Sequence, residues 1–137
     1  MTASDERPAN AVSSGLELVD GIGVFRPVSD CSLQVAVARV AAAFVEARSR
    51  GIDRLLVDIR GFTGFGPPTL SERHWMVRQF ATAGEGRVRS VMLARPEFLD
   101  PERFGVIAAA NVGMVTNSFS DEVEAMNWLR QLPDWSK

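Results

Sequence analysis

Cysteine, histidine and lysine are nearly absent from this chain of 137 residues. It contains one cysteine, Cys31, and one histidine, His74, and its basic residues are almost all arginine. A single cysteine excludes an internal disulfide framework and a metal site built from several cysteines. A single histidine disfavours a histidine-based metal site as well. We therefore predict a protein that holds no metal and no cofactor.

Long apolar runs and a strong net charge are lacking too. No apolar stretch reaches the roughly 18 residues that a membrane-spanning helix needs, and the N-terminus carries acids where a signal peptide has an apolar region. The formal charge is -2 and the pI is near 5.4, values that do not mark a nucleic-acid-binding protein. We expect a cytoplasmic protein with no membrane span and no nucleic-acid partner.

The patterning predicts one domain behind a polar tail. Residues 1–14 are small and polar, and we predict a disordered tail because they have too little apolar surface to offset the entropy lost on ordering. Residues 15–137 show signals in the order ββαβαβαβα. This order predicts a single α/β domain whose mixed, mostly parallel sheet has about five strands and is covered by about four helices.

Turn and cap residues mark the first half of the domain. Asp20-Gly21 predicts a hairpin between two short strands. Ser32 is one of several N-cap candidates for a long helix, in which apolar residues recur at helical spacing from Leu33 to Phe44. Gly51 marks the end of that helix.

The stretch 55–75 joins a buried strand to a helix through a turn rich in glycine and proline. The strand Ile52–Ile59 is apolar enough to be buried on both faces. Thr69 and Glu72 match a capping box at the start of the next helix. Ligands and partners usually bind at the carboxyl end of a central strand in such sheets. We therefore expect the functional surface here.

The second half predicts two more strands and two more helices. Residues 88–94 and 114–119 are the strands, and Asp100-Pro101 opens the helix between them as N-cap and first position. A C-terminal helix begins near Ser120. Seven residues are predicted in the core: Val40, Phe44, Leu56, Val57, Val91, Leu93 and Trp128.

Three motifs, LLVDIRGF, PEFLDPERF and FSDEVEAMNWL, resemble the SpoIIAA-like family, a branch of the STAS (anti-sigma-factor antagonist) fold. The resemblance covers about residues 16–129 and implies a small α/β domain without known catalysis. Relatives of the wider fold are protein-protein switches controlled by a phosphorylated serine, in an Asp-Ser-Ser-Gly-like turn after the strand that corresponds to residues 55–59. Here the turn reads Gly-Phe-Thr-Gly-Phe-Gly-Pro-Pro, so that serine is not carried over. Thr63, Thr69 and Ser71 are the nearby hydroxyls.

Two features at this end of the sheet raise the question of an anion site: the glycines of the turn and two arginines that follow neighbouring strands. The glycines, Gly61, Gly64 and Gly66, favour a structural turn over a phosphate cradle, because neither a P-loop ending nor G-x-G-x-x-G is present. Arg60 and Arg95 follow neighbouring strands and would bind an anion together at one sheet edge. The alternative is that nearby acids, Asp58, Glu72 and Asp100, hold these arginines in ion pairs.

Phe62, Phe65 and Trp75 are the aromatic residues of this region. Trp75 falls roughly opposite the apolar stripe of its helix, which predicts an outward tryptophan. The three rings either form an exposed contact patch, or the two phenylalanines pack beneath the turn as a satellite core. Both alternatives stay open at this point.

Catalysis has weaker support in the sequence. Ser71 with His74, or Cys31 with His74, would supply a nucleophile and a base, but no third orienting group is visible. We predict a non-enzymatic interaction or regulatory module, most simply a homodimer, or one that binds a regulatory protein. The alternative is a carrier domain for a small apolar ligand or a lipid, for which we expect a closed apolar cavity of ~300 Å³ or more. A small apolar or anionic ligand is therefore the other possible partner. The candidate binding residues are Arg60, Phe62, Phe65, Thr69, Ser71, Trp75 and Arg95.

Overall fold

Strands and helices alternate along the computed structural model, which describes residues 15–100 and 102–134. The strands are β1 (Leu16–Val19), β2 (Ile22–Phe25), β3 (Ser29–Asp30), β4 (Arg54–Asp58), β5 (Phe62–Thr63), β6 (Arg89–Leu93) and β7 (Thr116–Phe119). The helices are α1 (Leu33–Ser49), α2 (Leu70–Gly84), α3 (Phe104–Asn111) and α4 (Glu122–Gln131). The predicted α/β class is confirmed. The predicted tail, residues 1–14, lies outside the described residues.

The main sheet has five strands in the order β1-β2-β4-β6-β7. Strand β1 is antiparallel to β2, and the other neighbours are parallel. Asp20 and Gly21 have φ values of 52° and 80° between the first two strands, as a two-residue hairpin with a primed turn requires. The mixed, mostly parallel sheet predicted from the sequence is confirmed.

Two apolar clusters cover the two faces of this sheet. On one face, Leu55 and Val57 of β4 share a cluster with residues of α1 and α2. On the other face, Leu56 packs with Val91 and with Leu129 of α4. Six of the seven predicted core residues are buried. The seventh, Trp128, is half-buried and packs against the second cluster.

A second, two-stranded ladder was not predicted. Strand β3 pairs in parallel with β5 and joins the β2–α1 connection to the residues after β4. Each strand has only two residues, too few to show the alternation that marks a strand in a sequence.

The predicted start of the third helix at Asp100-Pro101 is wrong. Helix α3 begins at Phe104, and Arg103 precedes it in a left-handed conformation with φ 56°. The Asp100 carboxylate accepts a hydrogen bond from the Glu102 amide, so it closes a local turn two residues along the chain instead of capping the helix. Pro101 itself lies outside the described residues.

In the part of the chain that the structure describes, no helix has both the length and the apolar character needed to cross a membrane.

Candidate functional site

The β4–α2 segment, residues 59–69, runs from the carboxyl end of a central strand to the start of α2. Two backbone hydrogen bonds hold it against the β2–α1 connection, from Ser29 to the Gly61 carbonyl at 3.1 Å and from Cys31 to the Thr63 carbonyl at 2.8 Å. These bonds flank the β3–β5 ladder. The segment is therefore fixed along its inner side.

Two of its glycines are needed for this close docking. A Cβ atom at Gly61 would lie 2.5 Å from the Pro27 carbonyl oxygen. Gly64 has a φ of +106°, and a Cβ atom there would lie 2.4 Å from the Cys31 carbonyl oxygen. Close approach and positive φ therefore account for these glycines without a bound phosphate.

The predicted exposed patch of three aromatic rings is wrong. Phe62 belongs to the first apolar cluster, and Phe65 and Trp75 pack against it, so the rings join the main core and do not form a separate satellite core. Phe62 is only 2% exposed, and Phe65 is half-buried with its ring centroid 6.1 Å from that of Phe62 and 6.0 Å from that of Phe98. Trp75 is half-buried and packs against the core. It therefore does not point outward, and α2 contacts both α1 and α3, so more than one stripe of this helix is covered.

The capping box predicted at the start of α2 is confirmed. The Thr69 hydroxyl accepts a hydrogen bond from the Glu72 amide at 3.2 Å, and the Glu72 carboxylate accepts one from the Thr69 amide at 2.8 Å. The outer side of this junction is accessible: Thr63, Thr69 and Ser71 are exposed, and Leu70 is 58% exposed. The segment thus combines a fixed backbone with an accessible outer surface.

An ionic cluster lies at the same edge of the main sheet. The Asp58 carboxylate accepts hydrogen bonds from the side chains of Arg60 and Arg26, each at 2.9 Å. Arg26 also donates two hydrogen bonds, in a bidentate arrangement, to the carboxylate of Glu122, the first residue of α4. The cluster links β2, β4 and α4, and sequence reasoning found only its Asp58–Arg60 part.

The pKa values of the two acids in this cluster are lowered. Burial raises the pKa of Asp58, but hydrogen bonds from Arg60 and Arg26 outweigh that effect. The hydrogen bond from Arg26 is the main cause that lowers the pKa of Glu122. Both carboxylates are therefore held in the charged form.

Arg60 and Arg95 are both engaged by nearby residues. Strands β4 and β6 are parallel neighbours, as the shared-edge hypothesis assumed. Arg60, however, is neutralised by Asp58 and Glu122. Arg95 lies 3.4 Å from the Glu97 carboxylate and above the Phe98 ring. These contacts support ion pairing over a shared anion site.

In the described part of the chain, the two side chains considered as nucleophiles are not hydrogen-bonded to a side chain that could act as a base. Among the described residues, neither the Ser71 hydroxyl nor the Cys31 thiol makes a hydrogen bond to another side chain, and His74 is exposed. Within the same residues, no three metal-ligating side chains are grouped so that they could hold an ion.

Two adjoining cavities lie beside the β4–α2 segment, between the sheet, α2 and α3. One has a volume of about 100 Å³ and is lined mainly by apolar side chains, including Met76, Phe80 and Met92. The other has a volume of about 250 Å³ and a more polar lining that includes Asp100 and Arg103. Sequence reasoning did not identify the residues around them, because α3 and the turn before it were placed wrongly.

Comparisons with known proteins find similarity to solved structures alone. No family model matches the chain, and no curated protein matches it. Among solved structures, the chain is similar to the NMR structure of the protein TM1081, with a TM-score of 0.44 and 12% sequence identity. That alignment covers 96% of this chain and 100% of the other.

Proposed function

We propose that this domain is a non-enzymatic protein-interaction module, as its resemblance to the SpoIIAA-like family implies. Its contact surface is the outer side of the β4–α2 segment together with the first turn of α2. Its first partner is a second copy of the chain.

One observation carries this proposal: residues 61–71 are uncharged, and their backbone is fixed. The run has no Asp, Glu, Lys, Arg or His, although charged residues make up 23% of the chain. Interface cores are depleted in charged residues in the same way. Because the ladder and the capping box already order the backbone, little further entropy is lost when a partner binds.

Self-association follows from the same lack of charge. In a two-fold symmetric dimer a residue near the symmetry axis meets its own copy, so a charge there would face a like charge. Residues 61–71 present no such repulsion. Leu70, 58% exposed at the first position of α2, is an apolar side chain available for the centre of the contact.

The carrier alternative has less support. A carrier of this kind calls for a closed apolar cavity of ~300 Å³ or more. The mainly apolar cavity has a volume of about 100 Å³, and the adjoining one, of about 250 Å³, has a lining of mixed polarity. A lipid-sized cargo does not fit in this space.

Sedimentation over a range of concentrations tests the proposal with a matched pair of variants. Leu70→Glu places an acid in the first turn of α2, and Val123→Glu does the same in α4, where Val123 is 66% exposed. Both acids suit a helix N-terminus, so both variants should fold. We expect the wild type and Val123→Glu to form dimers at concentrations where Leu70→Glu is monomeric.

Two results would contradict the proposal at different points. If Leu70→Glu dimerises as strongly as the wild type, the contact surface lies elsewhere. If the wild type stays monomeric at every concentration, self-association is wrong and the partner must be a different protein.

A further inference from the structure

Arg73 of α2 lies where the two cavities meet. It lines both of them, as do Phe98, Val106 and Ser118. The cavities therefore adjoin at Arg73. The smaller, of about 100 Å³, is mainly apolar, and the larger, of about 250 Å³, has a lining of mixed polarity.

Arg73 is half-buried and lacks a carboxylate partner within the described residues. Among the described residues, its side chain donates a hydrogen bond of 3.2 Å from Nη2 to the Phe98 carbonyl oxygen. The other arginines of the described chain that are buried or half-buried all have an acid within 4.0 Å; they are Arg48, Arg54, Arg89 and Arg95. A partly desolvated guanidinium group with N–H donors left over is suited to bind an anion.

The charged residues that line the larger cavity have a net positive charge. Arg103 adds a second positive charge, and Asp100 adds one negative charge. The Asp100 carboxylate accepts a hydrogen bond from the Glu102 amide, and Asp100 takes part in a further interaction. The Ser118 hydroxyl, which lines both cavities, makes no hydrogen bond with the described side chains.

We propose that these joined cavities bind a small monocarboxylate with a compact apolar body. The carboxylate lies against Arg73, and the apolar body enters the space beside Met76, Met92 and Phe98. A cavity of ~150 Å³ lined by apolar side chains holds a benzene molecule. A space of about 100 Å³ therefore suits an apolar body of about four carbons.

Charge and geometry favour a carboxylate over other anions. A guanidinium group presents two parallel N–H donors that match the two oxygens of a carboxylate. A doubly charged phosphate would require more positive charge than two arginines opposed by one aspartate supply. This site goes beyond the proposed interaction function, and neither one depends on the other.

Titrations with pentanoate, 1-pentanol and acetate, followed by amide chemical shifts, test the site in the full chain. Pentanol has the same apolar body without the charge, and acetate has the charge without the apolar body. We expect saturable shifts with pentanoate, centred on Met92, Phe98 and Ser118, and an affinity at least tenfold higher than for either of the other two. Equal affinity for pentanoate and pentanol would overturn the role of Arg73. Equal affinity for pentanoate and acetate would show that Arg73 binds anions without help from the apolar space. The absence of any saturable shift would show that there is no binding site here.

Variants separate the two halves of the site. Arg73→Gln should abolish the preference for pentanoate over pentanol, whereas Arg78→Gln, an exposed arginine on the same helix, should keep it. Val106→Phe should block the apolar space and weaken both ligands at least tenfold. If Arg73→Gln binds pentanoate like the wild type, the proposal is wrong. If Arg73→Gln fails to fold, the proposal is still tested by Val106→Phe and by the affinities of the wild type for the three ligands. Unchanged pentanoate binding in Val106→Phe would place the ligand elsewhere.

Discussion

At the residue scale, the three glycines of the β4–α2 segment have different surroundings and give a direct test of how it is held. Gly61→Ala forces a Cβ atom against the Pro27 carbonyl, and Gly64→Ala adds strain at a φ of +106°. We expect each to lower the free energy of unfolding by about 1–3 kcal/mol. Gly66 is the control, because a Cβ atom there meets nothing within 4 Å. Urea unfolding of the three variants measures the difference. Equal stability of all three would mean that the segment is not docked as described.

A second prediction at this scale concerns Thr69. Its hydroxyl satisfies the Glu72 amide at the start of α2, so Thr69→Ala should lower the free energy of unfolding by about 1 kcal/mol and Thr69→Gly by less. Thermal or urea unfolding measures both. Ser71→Ala serves as the control, because the exposed Ser71 hydroxyl makes no hydrogen bond with the described side chains. A loss as large for Ser71→Ala as for Thr69→Ala would argue against the capping role.

The success at Thr69 and the failure at Trp75 show what kind of residue-level inference a sequence allows. A cap depends on residues three apart, so the local sequence contains all of its partners. The burial of Trp75 depends on an apolar cluster assembled from several elements, and α2 is flanked by α1 and α3 from distant parts of the chain. The helical period gives a direction for the side chain but not the width of the buried arc.

At the scale of elements, stacked phenylalanines join α1 to α2. The Phe44 ring is fully buried and lies 5.4 Å from the Phe80 ring, with an angle of 8° between the ring planes. Phe44→Ala should lower the free energy of unfolding by about 3–5 kcal/mol, through the lost transfer energy and the cavity that remains. The neighbouring Val45 is 42% exposed, so Val45→Ala should change the free energy of unfolding by about 0.5 kcal/mol or less. Similar urea midpoints for the two variants would contradict this packing.

Long, periodic elements were predictable, whereas short ones were not. Helix α1 spans 17 residues with a regular apolar stripe, and its pattern leaves little ambiguity. Strands β3 and β5 have two residues each, and only the fold brings them together. The start of α3 was misplaced because an aspartate forms a turn as readily as it caps a helix. The candidate site was the part predicted least well, because it is built from these short connections.

At the scale of the whole molecule, the cluster of Arg26, Asp58, Arg60 and Glu122 fastens α4 to the edge of the sheet. Arg26 and Glu122 are 96 positions apart, so no local pattern predicts their contact. The spacing of apolar residues predicts that α4 packs on the sheet, but not which charges meet when it does.

This cluster predicts how stability responds to acid. The pKa of Asp58 and that of Glu122 are lower in the folded protein than their ordinary values. Their contribution to stability is therefore fully present above their unfolded-state pKa values, at roughly pH 4–4.5, and is lost as the pH falls through the folded-state values. Glu122→Gln removes the Glu122 share of this effect. The variant should be less stable than the wild type at pH 7 and approach it near pH 3.

Glu124→Gln is the matched control, since Glu124 lies in the same first turn of α4 and therefore has the same favourable position at the helix N-terminus. Glu124 makes no ion pair with the described residues, so any difference between the two variants reports the contacts with Arg26 and Arg60. Urea midpoints between pH 3 and pH 7 measure it. Because the Glu122 side chain is 40% exposed, ~1 M salt should narrow the gap at pH 7. Parallel pH curves for Glu122→Gln and Glu124→Gln would show that the cluster does not hold α4, whereas curves that converge only for Glu122→Gln would show that it does.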